Sequence, residues 1–214
     1  MTLARSRTIA IALLFLASCA PAPSAASFDG LVPVQLDEVS VRNWFDKEAI
    51  VSAPALASGW HENLEIDGIA YDLYIPADYN QNGDRPALLV LPGWDFSRRS
   101  WVENSDLVGY ADKYGYALIL PEMGITLYES AFFPETDPAY RWHDIPGGQF
   151  VRERLIPTLQ NRHGLLQPGS HNTLLGLSTG GRGVALIALE NPNLFVAGAA
   201  LSGDFSQENT PRDR

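Results

Sequence analysis

A chain of 214 residues, 46% apolar and 19% charged, is globular rather than disordered and long enough for one sizeable domain with additions. Its formal charge of −10 argues against nucleic-acid binding, which needs a basic footprint. A single cysteine allows no disulfide within the chain.

The N-terminus carries an export pattern. Arg5 and Arg7 form a short positive region, and Ile9 to Ala17 is apolar throughout. That run is too short to span a bilayer, which takes about 20 residues, but it suits a secretory signal over residues 1–18. It closes on Leu16-Ala17-Ser18-Cys19. This resembles the lipobox of bacterial lipoproteins, which implies cleavage before Cys19 and a diacylglycerol on its thiol. The mature protein would then be tethered to a membrane surface of the cell envelope with no transmembrane helix. Plain secretion, with cleavage between Ala20 and Ser27, is the rival reading. Residues 19–60 read as a linker and lead-in, rich at first in Ala, Pro and Ser.

A folded domain is expected over residues 61–214, with order beginning near Asn63. Asp67-Gly68 between alternating segments predicts a hairpin with a type I′ turn, placing Ile69, Tyr71, Leu73 and Ile75 on one face. ALLVL (87–91) and YALIL (116–120) are continuously apolar, as in strands buried on both faces. Between them, Ser105 to Tyr114 reads as a helix stopped by Gly115. A long loop with several aromatic residues covers about 122–147. Gln149 to His163 reads as a helix, kinked or restarted by Pro157 and capped by Gly164. TLLGL (173–177) is a strand, Thr179 to Glu190 a helix and VAGAAL (196–201) a further strand. A hairpin followed by this alternation predicts an α/β fold: a mostly parallel, doubly wound sheet with helices on both faces.

Gly176-Leu-Ser178-Thr-Gly180 lies directly between a predicted strand and a predicted helix. That setting marks a nucleophile elbow, with Ser178 strained to project its Oγ above the sheet. Strand and helix pass so close there that Gly176 and Gly180 are expected to tolerate no side chain. The helix N-terminus favours developing negative charge. The alternative is a plain glycine-rich turn that binds phosphate.

The strings GIAYDLYIPADY, ALLVLPGW and GLSTGGRGVALIALENPNLFVAGAALSGDF extend the pattern. Together they resemble the esterase D-type branch of the α/β-hydrolases, over roughly residues 64–206. That branch includes S-formylglutathione hydrolases, feruloyl esterases, enterochelin esterases and mycolyltransferases. The resemblance implies Ser178 as nucleophile. It also implies an oxyanion hole made by the backbone N–H of Thr179 and one N–H near Trp94. Relatives often carry His-Gly where this chain has Pro92-Gly93. It implies, too, that an acid and a histidine follow the serine. Yet His61, His143, His163 and His171 all precede Ser178. His61 is placed before the first strand, His171 at the far end of the strand leading to Ser178, and His163 at a helix end, where a cation suits the dipole. His143 lies in the aromatic loop at the carboxyl end of the sheet, where Trp142 and His143 are candidates for a substrate pocket. Trp94, Trp101, Phe132, Phe133 and Tyr140 are further aromatic candidates, with ordinary core as the competing assignment. Asp204 is expected to be structural.

The resemblance implies about two more strands and helices beyond residue 206, so the hydrolase domain is expected to be C-terminally incomplete, with VAGAAL an uncovered edge. The functional expectation is an exported serine esterase that hydrolyses a small-molecule ester through an acyl-serine, using no cofactor. The pairs His61-Glu62 and His143-Asp144 lack metal-ligand spacing, so no metal site is expected. A non-catalytic envelope lipoprotein of the same fold and an acyltransferase are the two alternatives.

Overall fold

The computed structural model describes residues 56–79, 85–132, 134, 138–203 and 205. The signal segment, Cys19, Phe133 and Asp204 lie outside these described residues.

Strands β1 (Gly59–Ile66) and β2 (Ile69–Ile75) form the predicted antiparallel hairpin. Its turn residues Asp67 and Gly68 both take positive φ, 52° and 78°, as a type I′ turn requires. The strand begins at Gly59 rather than near Asn63, so His61 lies inside it and not before it. A register shift between His61 and Leu64, with Asn63 at φ 54°, explains the difference. The bulge breaks the two-residue alternation, so the pattern is readable only from Leu64 onward. Ile69, Tyr71, Leu73 and Ile75 are all buried, as their shared face predicts.

β3 (Ala87–Leu91), β4 (Ala117–Pro121), β5 (Thr173–Leu177) and β6 (Ala197–Leu201) complete the described sheet, in the order β1-β2-β4-β3-β5-β6. β2 meets β4 antiparallel, and the β4-β3-β5-β6 pairings are parallel. The period of two sorts β3 and β4 into two faces. Leu89, Leu91, Ala117 and Ile119 join the larger core with Phe150, Val151, Leu155 and Leu159. Val90, Leu118 and Leu120 face the other way, toward Trp101, Leu107, Val108 and Ala111. The doubly wound α/β expectation is therefore met.

On that second face lie α1 (Ser100–Asn104) and α2 (Leu107–Tyr114). The expected single helix from Ser105 is shorter at its start and is preceded by a separate turn of helix. Ser105 is extended at φ −152°, ψ 170°, and interrupts the two. Gly115 closes α2 in the left-handed conformation, as expected. On the first face, residues 147–163 form one helical run, α3. It alternates α segments (Gly147–Phe150, Ile156–Thr158) with π segments (Val151–Leu155, Leu159–His163). Pro157 neither stops nor restarts it. The proline has no N–H and its ring would meet the carbonyl of Glu153, and the widened π bonding around that carbonyl lets the helix pass. Gly164 caps the run at φ 63°. α4 (Thr179–Glu190) follows β5 directly and packs against β5 and β6. All five residues of the edge strand β6 are exposed.

Candidate active site

The elbow is present. Ser178 stands between β5 and α4 at φ 57°, ψ −123°, a conformation that L-residues rarely adopt. Two backbone bonds hold it. The Ser178 N–H donates to Leu201 O at 2.9 Å, and its carbonyl accepts the Arg182 N–H at 3.1 Å. The glycines are demanded by contact, as expected. A Cβ on Gly176 would lie 2.2 Å from Gly180 O, and one on Gly180 would lie 2.1 Å from Leu91 O. The amide of Thr179 belongs to the first turn of α4, where N–H groups have no acceptor within the helix. Thr179 is buried, and its Oγ1 has no hydrogen-bond partner among the described residues.

The second expected donor lies in the turn after β3. The Phe96 N–H returns to Gly93 O at 3.1 Å, and Asp95 takes φ 55°. Trp94 is thus the first of the two central residues of a tight turn. The start of this turn is held from below, because Tyr128 Oη donates to Pro92 O at 2.8 Å. Its far side is held by Gly124, whose carbonyl accepts the Asp95 N–H at 2.8 Å. Burial pushes the Tyr128 phenol well above its usual pKa, with Glu122 adding to the effect, so it stays a donor.

A charged cluster anchors the next residues, and sequence reading missed it. Asp72, fully buried in β2, accepts Arg99 Nε at 2.8 Å and the Asn63 N–H at 2.7 Å, with Arg98 Nε at 3.0 Å. Arg98 also reaches Glu122 at 3.2 Å, and Arg99 reaches Glu62. Burial alone would raise the Asp72 pKa; the hydrogen bonds from Arg98, Arg99 and Asn63 and the Arg98 charge outweigh it and hold the carboxyl below its ordinary value. The available signal was one acid inside an otherwise buried strand, IAYDLYI, since a buried carboxylate needs a cation.

A cavity of about 300 Å³ adjoins the elbow, lined by Phe96, Ser100, Trp101, Asn104, Ser105 and Leu177. Of the aromatic candidates, Trp101 reaches this cavity, and Phe96 was not foreseen. Trp142 is half-buried instead, packed edge-on against Phe150 with ring centroids 5.5 Å apart. It also covers Gly124, where a Cβ would stand 2.9 Å from its Nε1. His143 is exposed and meets the Trp142 ring edge-on at 4.5 Å. The Phe132 ring carries the Arg141 guanidinium at 5.3 Å, and Tyr140 ends a short 3-10 turn.

None of the four histidines hydrogen-bonds Ser178 among the described residues. His61 donates to Ala57 O at 2.8 Å. His163 lies 2.9 Å from the Tyr71 hydroxyl, at the end of α3. It is not the dipole-stabilised cation expected there. Burial first, then the charges of His61 and Arg162, lower its pKa and so disfavour the charged ring beside the Tyr71 hydroxyl.

Comparison with known proteins places these features in context. The family model described as "Putative esterase" matches residues 67–212. Feruloyl esterase B of Neurospora crassa is 30% identical over 131 residues, which is 61% of this chain and 42% of that protein. Feruloyl esterase B of Thermothelomyces thermophilus is 26% identical over 159 residues, 72% of this chain and 52% of that one. The chain thus spans about half the length of these relatives. Among solved structures, fluorophosphonate-binding serine hydrolase F of Staphylococcus aureus is similar at TM-score 0.56 and 17% identity, covering 72% of this chain and 60% of that one. An S-formylglutathione hydrolase from Agrobacterium tumefaciens is similar at TM-score 0.53 and 19% identity, covering 72% and 61%. At these identities the structural likeness concerns the fold, and it agrees with the α/β-hydrolase architecture.

Proposed function

The chain belongs to this esterase family, and from that premise we propose that it is an exported carboxylic ester hydrolase that uses a serine nucleophile. Ser178 Oγ attacks the ester carbonyl carbon, the C–O bond to the alcohol breaks, and an acyl-serine forms. Water then attacks the acyl-serine and releases the acid. The Thr179 amide and the Trp94 amide hold the oxyanion, and the cavity beside Leu177 takes one side of the ester. The observation that carries the reading is the strained Ser178 at the mouth of a helix N-terminus, set between two glycines that contact forbids from changing. The proton leaving Oγ passes to a general base, which returns it to the departing alcohol; no hydrogen bond joins Ser178 to a histidine among the described residues.

That same absence favours a second reading, a ligand-binding protein of hydrolase fold without turnover. A fluorophosphonate probe on the purified full chain separates the two. Labelling that disappears in Ser178→Ala supports catalysis; a folded chain that stays unlabelled at probe concentrations far above those used for serine hydrolases supports binding alone.

A further inference from the structure

We propose that Tyr128 is a positioning residue for the anion-binding site, setting the turn that carries the Trp94 amide against the helix that carries Thr179. The inference rests on the serine-hydrolase reading above. Two amides act on one oxyanion only if their spacing is held within a few tenths of an ångström. Here they belong to different elements, the turn after β3 and the first turn of α4.

Tyr128 touches both. Its Oη donates to Pro92 O at 2.8 Å in a fully buried setting. The peptide unit is planar, so fixing that carbonyl fixes the plane through which the chain enters Gly93 and Trp94. Its ring covers Gly183, one turn into α4, so closely that a Cβ there would lie 2.6 Å from the ring. The carbonyl that accepts the Asp95 N–H, Gly124 O, belongs to the same segment, four residues before Tyr128. The segment is itself pinned. Tyr128 sits at φ 57°, its N–H donates to Thr126 Oγ1 at 3.0 Å, and the next carbonyl, Glu129 O, accepts the Gly148 N–H at 3.0 Å. A left-handed tyrosine persists only where the surroundings over-determine it, and such strain gathers at functional sites. No step of the proposed reaction uses the phenol directly, so its part is geometric.

The test is Tyr128→Phe in the full chain, which deletes one O–H and keeps the ring over Gly183. The rate of fluorophosphonate labelling, kcat and KM on a p-nitrophenyl ester, and the unfolding midpoint are measured together. The expected result is a fall in labelling rate and kcat of about tenfold to a hundredfold, the scale of a small misplacement of reacting groups, with KM within about twofold. A lowered midpoint with labelling at the parent rate is what packing alone would give, and it overturns the proposal. A parent chain that does not label removes the serine reading and this inference with it, whereas parent labelling matched by Tyr128→Phe removes only the inference. Should Tyr128→Phe not fold, Thr126→Val takes its place, since it frees the Tyr128 backbone while leaving Oη intact. A slower labelling rate at unchanged KM supports the proposal there, and an unchanged rate overturns it.

Discussion

At Ser178 a non-glycine residue holds a backbone conformation that costs about 1–3 kcal/mol when nothing compensates. Its two backbone bonds and the closeness of β5, β3 and α4 keep it there. Gly180 shows how little room exists, because Leu91 O and Pro92 O would stand 2.1 and 2.6 Å from an added Cβ. Neither carbonyl can withdraw easily: β3 is clamped between β4 and β5, and Pro92 O is bonded to Tyr128. Gly180→Ala is therefore expected to destabilise the fold by about 3 kcal/mol, the upper end for an overpacked site. Urea unfolding of parent and variant measures it, and a loss below about 0.5 kcal/mol would show that the crossing is looser than drawn. This part of the site was legible in the sequence because a Gly-x-Ser-x-Gly crossing encodes its sterics locally. The Asp72 cluster was not, since its partners are residues 98 and 99 in the segment after β3, brought near by the sheet order β2-β4-β3.

Among the elements, α3 shows where pattern and structure separate. Its buried positions, Val151, Leu155, Ile156 and Leu159, follow the apolar spacing. Its π bonding does not, because hydrophobic spacing reports a face and not the carbonyl each N–H selects. The end of α3 is tied to β2 through Tyr71 and His163 at 2.9 Å, and that tie depends on pH. Burial, with His61 and Arg162, holds the folded His163 below its ordinary pKa, so near and below pH ~6.5 the unfolded chain binds more protons than the folded one. The contribution of His163 is thus complete above that pH and is lost as pH falls through the folded pKa. Stability should decline from pH 8 to 5.5, with a His163 share of at most about 1.4 kcal/mol per pH unit, the limit for one proton. His163→Gln keeps an acceptor for Tyr71 but cannot titrate, so its stability should fall less steeply over the same range. Urea midpoints at several pH values compare the two slopes, and equal slopes would exclude His163 as a contributor.

Across the whole molecule, the succession of strands and helices and the placing of helices on both sheet faces could be read from the sequence, because glycine, proline or a helix stop bounded the elements; the sheet order β1-β2-β4-β3-β5-β6 could not, since it depends on long-range pairing. A histidine partner for Ser178 could not be placed, and the structure brings none of the four to it. Where the protein works is a question for residues 1–19, outside the described part. The run Ile9–Ala17 ending at Cys19 motivates the proposal of a lipid anchor. One acyl chain holds a protein to a membrane only marginally, whereas a diacylglycerol supplies two chains, each buried CH₂ contributing about 0.8 kcal/mol. The two export readings therefore differ sharply in what fractionation should show. Expressed in a bacterial host fed a clickable palmitate analogue, the parent is expected to take up the label and to sediment with membranes even at high salt. Cys19→Ser should lose the label and the membrane fraction together, because no helix among the described residues is long and apolar enough to cross a bilayer and hold it there. An unlabelled parent recovered from the soluble periplasm would instead support plain secretion, with cleavage in the small-residue stretch after Cys19, and overturn the lipid anchor.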